Sequence, residues 1–138
     1  TEENSLKTVI ELYEFNYQIC QRFDIGNDTA QGSLLLAPMY AELGDFDSVD
    51  RVLKRSWAYI EKSKNALDRA NYYKYMARYE WKRPGKKTDN VDISLVYNFF
   101  EKARESYIEA DRADGLASID RDRKEFQKFL HESRIFIK

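Results

Sequence analysis

Leu6, Val9, Ile10, Tyr13, Tyr17, Cys20 and Phe23 recur at three-to-four spacing, which predicts an amphipathic helix over residues 4 to 24. Gly26-Asn27-Asp28-Thr29 is read as its stop, with Asp28 or Thr29 capping a second helix that runs to about Leu43. Gly44-Asp45 breaks that helix, and Asp45 or Asp47 caps a third carrying Val49, Val52, Leu53, Trp57 and Ile60. A fourth, dense in aromatics, is expected from Asn65 to about Lys82, and the segment Arg83-Pro84-Gly85-Lys86-Lys87-Thr88-Asp89-Asn90 reads as a loop. A fifth spans Asp92 to about Arg112, ended by Ala113-Asp114-Gly115, and a sixth places Ile119, Phe126, Phe129, Leu130 and Phe136 on one side. No stretch alternates long enough to compete as a strand, so the expected class is all-α with about six helices.

The short turn around Gly44 makes the second and third helices antiparallel neighbours. Their residues also carry a resemblance. Leu36, Ala37 and Tyr40, then Gly44 and Phe46 at the turn, then Val49, Leu53 and Ser56, stand where a tetratricopeptide repeat places its large, small and aromatic positions. Residues 30–63 are the best-matching repeat. A stretched copy over 66–112 uses Tyr73, Met76, Ala77, Val96, Phe100 and Ala103; Tyr73 and Val96 are 23 residues apart where Ser33 and Val49 are 16 apart, the surplus falling at the basic Pro-Gly loop. Ser33 replaces the usual first aromatic, Glu80 a Tyr and Glu61 the closing Pro, and Pro38 should kink the second helix. The resemblance implies a right-handed α-α superhelix, with residues 1–28 as an N-terminal helix and 115–138 as a C-terminal cap. Such a domain can be a piece of a longer protein.

The same resemblance implies a concave groove, lined by the first helix of each pair, that takes a peptide or partner helix. Lys74, Arg78 and Lys82 fall at i, i+4 and i+8 and form a basic stripe, flanked by Tyr75, Tyr79 and Trp81. On the second helix the equivalent positions are Gln31, Leu34, Pro38 and Ala41. A lining of this kind suits an acidic peptide or a free C-terminal carboxylate. The alternative is a solvated helix face with core aromatics behind it, and for the second helix plain packing against the first.

Charge and composition narrow the rest. With 23 basic against 24 acidic residues the net charge is −1, which argues against a general polyanion binder, and Lys82, Arg83, Lys86 and Lys87 read as a soluble loop rather than a nucleic-acid contact. No apolar run reaches the roughly 20 residues of a membrane span. Cys20 is the one cysteine and His131 the one histidine, so neither a disulfide within the chain nor a histidine-based metal site is expected, and no cofactor motif or catalytic constellation stands out. Cys20 reads as buried filler in a reducing, cytoplasmic setting. The functional expectation is a non-catalytic protein-interaction module, with a peptide-sensing regulatory domain and a self-associating module, a homo-oligomer, as alternatives.

Overall fold

A computed structural model describes the backbone of residues 1–86 and 88–136, and their side chains except at 27, 28, 30, 88 and 133–136. Among the described residues the chain is helical with no strand: α1 (Glu2–Arg22), α2 (Gly26–Glu42), α3 (Phe46–Ile60), α4 (Ala66–Trp81), a 3₁₀ turn (Thr88–Asn90), α5 (Ile93–Glu109) and α6 (Ala113–Phe136). It divides into two compact units, residues 1–68 and 69–138, with the division in the first turn of α4.

Four helices begin at side chains that satisfy otherwise orphaned amides. Thr1 accepts from Asn4 N at 3.2 Å, Asp45 from Ser48 N at 3.2 Å, Asn65 from Leu67 N at 3.0 Å and Asp92 from Leu95 N at 3.0 Å. The expected cap before α2 is absent. That helix starts at Gly26 with Ile25 as its cap residue and no side-chain hydrogen bond, while Thr29 lies inside the helix and donates its hydroxyl to Ile25 O at 2.7 Å. The Asp28 side chain lies outside the described residues.

Three helices end on one device. After α1, α2 and α5 a single residue turns left-handed: Asp24 at φ 56°, Gly44 at φ 76° and Asp111 at φ 55°. Each time the following amide reaches back to the carbonyl five residues earlier, in Ile25 to Cys20, Asp45 to Tyr40 and Arg112 to Tyr107. The residue in the left-handed position bonds the carbonyl three before it, Gln21, Ala41 and Ile108 respectively. Gly26 and Gly115, read from the sequence as stops, instead lie in the first turns of α2 and α6. An aspartate can take the left-handed conformation because its short polar side chain bonds locally, at a modest steric cost that glycine escapes.

In the first unit α2 packs on both α1 and α3. That position explains its composition: Thr29, Ser33, Leu34, Leu36, Ala37 and Tyr40 are all buried, so small and apolar residues are needed on nearly every side. Opposite it α3 is sharply two-sided and buries Val49, Val52, Leu53, Ser56 and Ile60. Arg55 of α3 ties the three helices together. Its guanidinium forks onto the Glu14 carboxylate of α1, lies 3.8 Å from the Tyr17 ring centroid, and donates through Nε to Ser33 Oγ of α2 at 3.1 Å. Arg51 adds a contact to Glu14 at 3.5 Å and a hydrogen bond to the Tyr40 hydroxyl at 3.3 Å.

The second unit is built on aromatic rings. Phe126 of α6 is fully buried, with Trp81, Tyr97, Phe100 and Phe129 at centroid distances of 5.5, 5.4, 6.1 and 6.1 Å. Each such pair adds roughly 0.5–1.5 kcal/mol beyond burial. The expected apolar side of α6 is present as Ile119, Phe126 and Leu130, interrupted by a buried Asp122; the Phe136 side chain lies outside the described residues.

Candidate functional site

The basic stripe sits on α4, where 3.6 residues per turn align Lys74, Arg78 and Lys82 along one side. Two of the three cations are engaged by α6. Arg78 forks onto Asp122, Nε to Oδ2 at 3.1 Å and a terminal nitrogen to Oδ1 at 3.2 Å, while Lys82 Nζ reaches Glu125 Oε2 at 3.1 Å. These pairs differ in weight. The Arg78–Asp122 fork is mostly buried, so leaving either member unpaired is costly. Lys82 and Glu125 are exposed, and their pairing contributes below about 1 kcal/mol.

Lys74 is different. It is half-buried with its ammonium 5.0 Å from the Tyr75 ring centroid, and among the described residues no carboxylate lies within ion-pair distance. Burial, reinforced by the neighbouring Arg78 charge, holds its pKa below the ordinary lysine value. For Arg78 burial acts in the same direction, but Asp122 and Tyr79 outweigh it and keep the guanidinium above its ordinary value.

The flanking aromatics are mainly structural. Tyr75 stacks on Tyr79 at 6.1 Å between centroids, and burial pushes both phenols upward. Tyr75 also has the Arg78 guanidinium 5.7 Å from its centroid, in a half-exposed setting. Tyr79 is buried, and Trp81 packs onto Phe126 and Phe129 at 5.5 and 5.1 Å. Of the positions on the second helix, Gln31 is exposed, whereas Leu34 is 3% exposed and belongs to the core of the first unit. Leu34 therefore has no surface to offer a ligand, because α2 is covered from two sides.

The basic loop is tied down locally. Arg83 Nε donates to Tyr79 O at 2.6 Å, and Lys86 Nζ donates to Asn90 O at 3.3 Å with Glu80 Oε1 at 4.0 Å. Lys87 lies outside the described residues. His131 is exposed on α6. Among the described residues no helix is long and apolar enough to cross a membrane, and no three metal-binding side chains gather.

Sequence reading did not single out Glu14, Arg51 and Arg55, nor the Asp122 partner of Arg78. Arg51 and Arg55 stand at i, i+4 beside the apolar side of α3, a spacing that marks them as a pair but not their partner. No protein-family model matches the sequence, and no curated protein or solved structure shows significant similarity to the chain.

Proposed function

We propose that this chain is a non-catalytic module of tetratricopeptide type, a right-handed superhelix of antiparallel helix pairs, that docks a carboxylate-bearing peptide with Lys74 as its anchor. The observation that carries the reading is Lys74 itself: a half-buried ammonium beside an aromatic ring, with its stripe neighbour Arg78 already committed to Asp122. A carboxylate arriving there gains a charge-assisted hydrogen bond in a partly desolvated setting. Tyr75 offers flat contact area, and Lys82, held only by an exposed pair, can exchange Glu125 for a ligand oxygen.

The repeat reading is supported by burial. Leu36, Ala37, Tyr40, Val49, Leu53 and Ser56 are all buried, as are Ala77, Val96, Phe100 and Ala103 of the stretched copy. The departure at Ser33 is compensated: where the family places a large aromatic, the Ser33 hydroxyl accepts from the Arg55 guanidinium, which fills the space and brings Tyr17 and Glu14 with it.

Fluorescence titration with a panel of peptides, each made with a free C-terminus or an amide and with acidic or neutral side chains, tests the proposal. Binding is expected for carboxylate-bearing members only, weakened about tenfold or more by Lys74→Met at unchanged helicity. Absence of carboxylate-dependent binding, or binding indifferent to Lys74→Met, removes it.

A further inference from the structure

The first helix is apolar on two sides, and only one is used. Ile10 and Cys20 are buried and Leu6, Tyr13 and Tyr17 half-buried, which defines the side of α1 turned to the rest of its unit. On the other side Leu12, Phe15, Ile19 and Phe23 follow one another at intervals of three and four, which at 100° per residue keeps them within one stripe that Val9 widens. They are exposed large hydrophobics: Leu12 at 63%, Phe15 at 62% and Phe23 at 68%. Ile25, just past the helix end, extends the patch. The polar residue nearest the stripe is Asn16, and its amide nitrogen lies 4.0 Å from where a Cβ would stand on Gly32 of α2. Asn16, itself exposed, thus stands on the α2 side of the stripe as the one polar position between Val9 and Phe23 there.

At about 200 Å² per fully exposed large side chain, the patch from Val9 to Ile25 amounts to roughly 600 Å². That is at the upper end of what a monomer ordinarily leaves to water, about 300–600 Å². Two such patches closed on each other remove about 1,200 Å², the lower edge of stable protein–protein interfaces.

Charge decides what fits. Along one edge of the stripe stand Glu11 and Arg22, eleven residues apart and both exposed. Neither belongs to an ion pair within the chain among the described residues. A two-fold axis midway between them turns α1 antiparallel to its copy and carries each Glu11 to the partner's Arg22 position. The same axis brings Leu12 level with position 21 of the second copy, between that copy's Ile19 and Phe23, and Phe15 level with position 18, between its Phe15 and Ile19. A parallel pairing leaves both charges without an opposite.

We infer that the outer side of α1 is a homodimer interface, two copies of this chain joined by antiparallel α1 helices through Leu12, Phe15, Ile19 and Phe23, with reciprocal Glu11–Arg22 pairs at its edge. The surface belongs to the first unit and Lys74 to the second, and the inference does not depend on peptide docking.

Sedimentation equilibrium of the intact chain over a wide range of concentrations tests it. A monomer–dimer equilibrium is expected, and Phe15→Glu with Ile19→Glu weakens it about 100-fold or more, because two buried apolar side chains become buried charges. Glu11→Arg alone weakens the dimer, and Glu11→Arg combined with Arg22→Glu restores it, since the exchange regenerates the antiparallel pairs. Circular dichroism checks the fold of each variant; should the double glutamate lose helicity, Leu12→Lys with Phe23→Lys is read in its place. A monomer at every concentration overturns the inference, as does a dimer indifferent to these apolar substitutions. Failure of the charge exchange to restore association overturns the antiparallel register and with it the proposed interface.

Discussion

The ring of Tyr107 occupies the space that any side chain at Gly115 would need: a Cβ placed on Gly115 would overlap three ring carbons of Tyr107. Tyr107, near the end of α5, is almost wholly buried, and its hydroxyl donates to Asn71 Oδ1 of α4 at 2.6 Å. Burial drives its phenol pKa far above the ordinary value of 10.0, so the group remains a neutral donor at physiological pH. One glycine and one tyrosine thereby hold together the start of α6, the end of α5 and the middle of α4.

Gly115→Ala is expected to destabilise the protein despite the roughly 1 kcal/mol that alanine gains over glycine within a helix. Overpacking against a buried ring costs about 1–3 kcal/mol or more, and the ring cannot retreat without losing Asn71. Urea denaturation should show a lower midpoint for Gly115→Ala. Its cost should shrink when Tyr107 is also replaced by Leu, a coupling that a double-mutant cycle resolves. Tyr107→Phe alone should cost about 1 kcal/mol for the lost hydrogen bond.

The two left-handed aspartates offer the opposite sign. Asp24→Gly and Asp111→Gly each relieve a non-glycine φ near 55° at an exposed turn, and each should raise stability by roughly 0.5–1 kcal/mol. Gly44→Ala introduces the strain that Asp24 and Asp111 already carry and should lower stability by about 1 kcal/mol. Thermal or urea unfolding of the three variants side by side checks the pattern. Equal effects on all three would show that left-handed strain is not what distinguishes these turns.

Arg55→Ala should cost roughly 2–3 kcal/mol, since it strands Ser33 Oγ and half of the Glu14 pairing in a mostly buried place. Arg55→Lys keeps the charge but not the fork or the stacking on Tyr17, and should recover less than half of that loss. Arg51→Ala, whose side chain is half exposed, should cost under about 1 kcal/mol. Denaturation midpoints of the three variants separate a built clamp from an ordinary surface pair.

Acid dependence should show at the start of α6. Asp114 receives Arg112 Nε at 3.0 Å and a terminal nitrogen at 2.9 Å, and these bonds pull its carboxyl from 3.8 down to about 2. The folded value lies below the unfolded one, so the contribution to stability is complete above 3.8 and is lost as pH falls through about 2. Carbon-detected NMR titration should place the Asp114 midpoint in that window. Arg112→Gln should move it back towards the ordinary carboxylate value.

Helix number and type, the start of α3 at Asp45 and of α5 at Asp92, the stop at Gly44 and most core positions were legible in the sequence, because they depend on periodicity and on side chains bonding their own neighbouring backbone. Gly26 and Gly115 misled. A glycine signals freedom of the backbone, and only the surroundings tell whether that freedom serves a left-handed turn or, as at Gly115, the close approach of a ring. Asp24 and Asp111 took the turns instead, which no local pattern distinguishes from two exposed aspartates in mid-loop.

By itself the sequence determined that Lys74, Arg78 and Lys82 share a side of one helix, since a helix's own geometry puts them there. Which of them has no carboxylate at ion-pair distance among the described residues was decided by tertiary structure. Asp122 and Glu125 lie more than forty positions along the chain and meet Arg78 and Lys82 only when α6 folds back onto α4. Likewise the pattern of α1 announced an apolar helix but not its spare side, because α2 can cover only one of the two. Charge pairing and burial at these places are long-range events, and no short-range rule in the chain encodes them.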